Sequence, residues 1–314
     1  MEKFLYICGA KGSGKSLIRA ILDGHPQLFV SPFHERIFES FFEDDDTGIL
    51  KKNDIEKIRE MLANKGHYFQ LERESWKKKQ NLGIAANIHK EFVLNFNYYL
   101  FDRSWVENLY KKGTEWTSQE VCKEIYRSFS KNLSGPFLKK GSKKRYYCSQ
   151  SMGYSNAVPG FIKAFPDSKI IYVKRDPIEI VAALTNRTPN PQNYNRSKGF
   201  KPDALFKKWG TFEYIKLLAQ LDDEAEKALK KHPRKILIIK FSDIFDNLNK
   251  TTLRIRKFLN ISDNIALKHY SHVGEKMINS DGKSFLSKRV DNGYGDLSKT
   301  QIKKLKSFVS KIKK

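Results

Sequence analysis

Cysteine is scarce in this 314-residue chain. Cys8, Cys122 and Cys148 stand far apart, so neither a zinc-ligand pattern nor a disulfide framework can be built from them. Three isolated cysteines suit a reducing compartment. Long apolar runs are missing as well. No stretch approaches the ~18 consecutive apolar residues of a membrane span. The opening MEKFLYICGAKGSGKS has no extended apolar region and no small-residue cleavage site, and glycines follow at once. It does not read as a secretory signal, and the expected location is the cytosol. Acidic side chains are few: 35 Asp plus Glu stand against 59 Lys plus Arg, a net charge of +24. Such a surface draws anions over a Debye length. A nucleotide, an acidic glycan, nucleic acid or an anionic membrane would all qualify. Most of the excess is lysine spread along the whole chain, which a merely solvated surface explains equally well.

What is present is a globular composition. Hydrophobic residues make up 39% and aromatics 13%, enough for a sizeable core. KFLYIC at 3–8 is an apolar strand entering a glycine-rich turn, and Leu17, Ile18, Ile21 and Leu22 follow at helical spacing. Residues 27–30 and 169–173 read as further strands, the second followed by a helix from Asp176-Pro177 through Ala183. Residues 203–231 form a long helix, 235–240 a strand, and TLRIRKFL another helix. The last helix, over 298–314, begins with Ser298 and Gln301 at capping-box spacing. Strands alternating with helices predict an α/β protein: a P-loop-type three-layer fold around a central, mostly parallel sheet. Residues 43–145 are polar and largely helical. They are expected to be an insertion or cap within one domain spanning 1–314.

The strongest local signal is Gly9-Ala10-Lys11-Gly12-Ser13-Gly14-Lys15-Ser16. It satisfies G-x-x-x-x-G-K-[ST], with a strand before it and a helix after it. Glycines let the backbone curl so that successive N–H groups converge on a phosphate, and the helix adds its positive end. Lys15 can reach a bridging or terminal oxygen. Ser16 can donate to a phosphate or hold a metal. Alone, this loop favours a nucleotide-triphosphate enzyme.

Four blocks change that reading. They are ICGAKGSGKSLIRAILDGHPQLFVSPFHE, FPDSKIIYVKRDPIEIVAAL, KILIIKFSDIFDNLNKTTLRIRKFLNIS and SFLSKRVDNGYGDLSKTQ. In this order the chain resembles the sulfotransferases that use 3′-phosphoadenosine 5′-phosphosulfate (PAPS), a family related in fold to nucleotide kinases. The resemblance implies that the first block holds the 5′-phosphosulfate. The second carries the 3′-phosphate contact at Arg175, and the fourth closes over the nucleotide. The chain departs from the family at three places. Gly12 stands where many members carry Lys or Arg just before the Ser-Gly, with Lys11 and Lys15 on either side. Ala183 stands where the family has a 3′-phosphate serine. Gln150-Ser151-Met152 stands where it has Lys-Thr-Pro.

The chemistry then needs an acceptor oxygen in line with the leaving phosphate, cations on the developing charge, and a base. No metal is required. The resemblance places a catalytic Glu at Glu35, the expected general base, with neighbouring His34 as the other candidate. Lys15 and Lys11 are the candidate catalytic cations. Lys11, Gly12, Ser13, Gly14, Lys15, Ser16 and Arg175 are expected to hold the donor, with Arg187, Lys288 and Arg289 as further contacts. An ion pair with Asp176 or Glu179 is the alternative use of Arg175. Trp105 and Trp209 can stack on a ring or simply pack in the core. The expected activity is transfer of a sulfuryl group from PAPS to a hydroxyl acceptor, a carbohydrate with anionic glycans among the candidates, leaving adenosine 3′,5′-bisphosphate. A small-molecule kinase using ATP and magnesium is the alternative, weakened because no apolar run ends in a convincing metal-binding Asp. Asp243, in FSDIF, is the nearest candidate. A nucleic-acid-binding protein is the third reading, with no zinc-finger, RRM or KH signature to support it.

Overall fold

The computed structural model describes residues 3–31, 37–42, 49–64, 98–133, 145–151, 158–185, 204–264, 267, 271–272, 275–276 and 297–312. Five parallel strands form the central sheet: β1 (Lys3–Cys8), β2 (Leu28–Val30), β5 (Tyr146–Gln150), β6 (Lys169–Lys174) and β7 (Ile236–Lys240). Their order is β2-β5-β1-β6-β7, so β1 is central. Its register runs from Lys3 opposite Tyr146 on one side and Leu5 opposite Lys169 on the other. The chain visits one side of β1, then crosses to the other. The carboxyl ends of β1, β5 and β6 therefore meet where the strand order reverses, the usual ligand crevice of an open α/β sheet.

Each strand is apolar on both faces because helices cover both. On one face Leu5, Ile7, Leu28, Tyr146, Cys148, Ile171, Val173 and Ile239 pack against α1 (Lys15–Leu22) and against two helices that follow β7. The opposite face presents Phe4, Tyr6, Cys8, Phe29, Tyr147, Ile170 and Tyr172. Covering it are α2 (Ile37–Phe42), α3 (Lys52–Asn64), α4 (Tyr98–Tyr110), α5 (Ser118–Asn132) and α6 (Val158–Ala164). A knot of rings fixes this side: Phe38 lies 5.4 Å from Phe4 and 4.8 Å from Phe161, centroid to centroid. A third cluster joins α7 (Pro177–Thr185), α8 (Ala204–Lys231) and, at the end of the chain, Lys299–Ile312. Two further helices, α9 (Phe241–Asp246) and α10 (Leu248–Leu259), follow β7, and Lys299–Ile312 is α11. Short antiparallel pairs, β3 (Ile49–Lys51) with β4 (Glu115–Thr117) and β8 (Ser271–His272) with β9 (Glu275–Lys276), lie outside the main sheet.

The sequence signals at helix starts are realised. Ser298 and Gln301 exchange hydrogen bonds of 2.8 and 3.2 Å, the reciprocal box that opens α11. Asp176 accepts from the N–H of Ile178 at 2.7 Å and caps α7. The strand at 146–150 went unread, because YYCSQ mixes polar with apolar residues directly after a lysine-rich stretch. Asp243 sits in the first turn of α9 and pairs with Arg254 at 3.3 Å.

Within the segment 43–145, α4 and α5 bury Phe101, Trp105, Val121, Ile125 and Phe129 against the sheet side. Trp105 is therefore a core residue. Glu124 is 1% exposed and accepts from Lys112 at 2.5 Å and from Arg127. Both cations are part-exposed and can return to water when the carboxylate is removed. Glu124→Ala should accordingly cost about 1–3 kcal/mol in urea unfolding and leave ligand binding unchanged.

Candidate functional site

The loop between β1 and α1 curls at the carboxyl end of the central strand. Gly9 has φ 141° and Gly14 has φ 97°, backbone positions that L side chains rarely adopt. Both are also close-packed. A Cβ on Gly9 would come within 2.6 Å of the Val173 carbonyl oxygen, and one on Gly14 within 2.3 Å of Phe241 Cδ2. Gly14 is the N-cap of α1 and supplies no side-chain cap, and no acidic residue occupies the first turn. The positive end of α1 therefore opens onto the loop.

Lys15 begins α1 and is only 5% exposed. Its Nζ donates to the carbonyl oxygens of Gly9 at 2.6 Å and Ala10 at 2.8 Å, folding the ammonium across the loop. Ser13 is buried, and its Oγ has no hydrogen-bond partner among the described residues. Such an orphan costs stability unless something meets it, and an anion oxygen in the loop would do so. Ser16 Oγ accepts from Gln150 Nε2 at 3.1 Å, which ties the loop to the end of β5.

Arg175 leaves the carboxyl end of β6 and turns towards the loop. One guanidinium nitrogen donates to the Gly12 carbonyl at 3.1 Å. Nε meets Glu179, one helical turn along α7, at 3.2 Å. The guanidinium carbon Cζ lies 4.1 Å from the ring centre of Phe241. The same ring blocks the Cβ position of Gly14. Phe241 is thus the floor on which the loop and the arginine both rest. Of the two uses weighed for Arg175, the ion pair with Glu179 is present; the hydrogen bond to Gly12 is a further contact that the sequence did not suggest.

Neighbouring Lys174 turns away, to Glu226 at 2.6 Å and Asp222 at 3.7 Å. Burial works against its charge, but these two carboxylates outweigh burial and raise its pKa. It lies in a salt-bridge network on α8. His25 accepts from the N–H of Gln27 at 3.2 Å, and its other ring nitrogen is 3.1 Å from the Ser262 carbonyl. It serves as a strut.

The structure thus brings together Lys11, Gly12, Ser13, Gly14, Lys15, Ser16 and Arg175 around one loop. His34, Glu35, Arg187, Lys288 and Arg289 lie outside the described residues, as does the side chain of Trp209. Sequence reasoning missed Phe241, because an aromatic after a strand looks like ordinary core. It also missed the link from Gln150 to Ser16, which joins residues 134 positions apart. The only trace of that link was a departure from the family pattern at Gln150.

Could the loop accept the 5′ end of PAPS? The unmet Ser13 hydroxyl, the uncapped start of α1, and two cations resting on loop carbonyls fit an anionic phosphosulfate. Among the described residues no helix is long and apolar enough to cross a membrane, and no group of His, Cys, Asp and Glu forms a metal site.

The sulfotransferase domain of an olefin synthase from Synechococcus PCC 7002 superposes on this chain with a TM-score of 0.53 at 14% identity. The match covers 98% of this chain and 94% of that one. A sulfotransferase from Alicyclobacillus acidocaldarius gives 0.47 at 12% identity, covering 99% and 92%. No curated protein matches the sequence. The first similarity shows the fold, down to a mostly parallel sheet with helices on both faces. The sulfotransferase family model matches residues 5–264, and on that match the chain belongs to the sulfotransferase family.

Proposed function

We propose that the enzyme transfers the sulfuryl group of PAPS to a hydroxyl of a carbohydrate acceptor. The observation that carries this is the meeting of Arg175 with the Gly12 carbonyl, 163 residues apart in the chain. One nucleotide can then span both features, its 5′-phosphosulfate in the glycine loop and its 3′-phosphate against the guanidinium fork.

In this reading the backbone N–H groups of the loop and the start of α1 cradle the 5′ end. Lys15 swings from the carbonyls of Gly9 and Ala10 to the bridging oxygen, and Lys11 lies alongside. The acceptor oxygen forms a bond to sulfur as the bond from sulfur to the phosphate oxygen breaks. The acceptor's proton passes to Glu35, the proposed base, or to His34. Charge grows on the leaving phosphate, and Lys15 and Ser16 meet it. Arg187, Lys288 and Arg289 are proposed as further donor contacts. The net charge of +24 supports an anionic glycan as acceptor, since like surfaces steer acidic partners.

Calorimetry tests the donor. Adenosine 3′,5′-bisphosphate should bind more tightly than ATP with magnesium, and the reverse order would favour the kinase reading. Arg175→Ala should then weaken the bisphosphate by about 1.5–3 kcal/mol, the range for a lost hydrogen bond to a charged group. An affinity unchanged in that variant would remove Arg175 from the nucleotide site.

A further inference from the structure

Gln150 ends β5 opposite Ile7 and is 3% exposed. Side chains alternate along the strand, so it shares the face of Tyr146 and Cys148, the face on which α1 packs. That placement brings its carboxamide to the first turn of α1. Nε2 donates to Ser16 Oγ at 3.1 Å. Oε1 is buried with no hydrogen-bond partner among the described residues.

A serine hydroxyl has one proton to give and two lone pairs to accept with. In this arrangement the amide N–H fills a lone pair, so the proton of Ser16 is not spent on Gln150. The opposite arrangement would set Oε1 against Ser16 Oγ, draw in that proton and present lone pairs where an anion must sit. The observed orientation leaves Oε1 unmet, which carries a desolvation cost. The arrangement suits a site that offers a hydroxyl proton to an oxyanion.

We propose that Gln150 is a positioning residue for the sulfuryl donor. It acts through Ser16, holding that hydroxyl as a proton donor to the 5′-phosphate oxygens. A carboxamide does this without placing a negative charge beside the phosphate. The inference rests on the donor reading above and adds a residue that meets the nucleotide through another.

A double-mutant cycle tests it, with adenosine 3′,5′-bisphosphate as the calorimetric probe. Ser16→Ala should weaken binding about tenfold or somewhat more, the worth of one hydrogen bond to a charged group. Gln150→Met, close in volume, should weaken it about tenfold. The double variant should be no worse than Ser16→Ala alone, to within about twofold, because both changes remove one coupled contact. Losses that multiply, or a Gln150→Met protein that binds like the unaltered enzyme, overturn the proposal. Gln150→Glu adds a second readout. At pH 8 its carboxylate should make it weaker than Gln150→Met. Burial and the nearby phosphate both raise that carboxyl's pKa, so the deficit relative to the unaltered enzyme should shrink by pH 5.5 as the group takes up a proton. A deficit that stays constant with pH counts against the idea. Should the buried glutamate prevent folding, the Met and Ala cycle alone decides. Failure of the unaltered enzyme to bind the bisphosphate is a different result: it removes the donor assignment first, and this inference with it.

Discussion

Lys15→Met should lower sulfuryl transfer by about 10²–10³-fold, the loss typical when one preorganised donor to a developing charge is removed. The measurement uses labelled PAPS, the proposed donor, with a carbohydrate acceptor that the unaltered enzyme sulfates. The ammonium is buried and already held inside the loop by the carbonyls of Gly9 and Ala10. It needs only a short swing to exchange those neutral oxygens for an anionic one, and little solvent has to reorganise. Methionine fills the same space without the charge. Binding of adenosine 3′,5′-bisphosphate should fall far less than turnover, because the full charge on the bridging oxygen develops only during transfer. Equal losses in the two measurements would show that Lys15 merely binds the nucleotide. A turnover within about threefold of the unaltered enzyme would remove Lys15 from the chemistry and leave Lys11 as the candidate cation.

Gly14→Ala should be the most damaging change to the loop itself. Its φ of 97° strains any side chain, by about 1–2 kcal/mol for a left-handed position. The added Cβ would also lie 2.3 and 2.5 Å from two atoms of the Phe241 ring, which has Arg175 on it. Relief requires the ring to move, and the guanidinium with it. The expected loss is about 2–4 kcal/mol in stability, combining strain with overpacking. Thermal unfolding gives that number. Nucleotide binding should drop at least about a hundredfold, as both halves of the proposed site shift together. Adding Phe241→Leu should recover part of the stability by removing the collision, while the φ strain stays. If Gly14→Ala binds and melts like the unaltered protein, the packing of loop, ring and arginine does not constrain the site.

Local signals carried the reading wherever chemistry and backbone agree. The glycine spacing, the strand before it and the helix after it put Lys15 and Ser16 at the start of a helix, where α1 begins. Capping residues marked the start of α11 at Ser298, and Asp176-Pro177 marked the start of α7. Long-range partners were a different matter. Nothing in YYCSQ announced that β5 lies beside β1, because a covered strand shows no alternation of polar and apolar residues. Gln150 therefore could not be connected to Ser16. Phe241 stood out as an aromatic after a strand, with no hint that Gly14 and Arg175 would share its ring. Arg175 illustrates the mixture. Its position came from a family resemblance, while its grip on Gly12, Glu179 and Phe241 belongs to the folded chain.

The central place of β1 also bears on how the protein is made. KFLYIC leaves the ribosome well before its sheet neighbours, the first of which begins at Tyr146 and the second at Lys169. At about 5–20 residues per second, roughly 7–30 s pass before either can pair with it. Throughout that interval a short, largely apolar, β-prone segment hangs unpaired from the nascent chain, the kind of sequence that seeds aggregation. Overproduction of the enzyme should thus benefit from slower translation or from a chaperone that shelters its first strand.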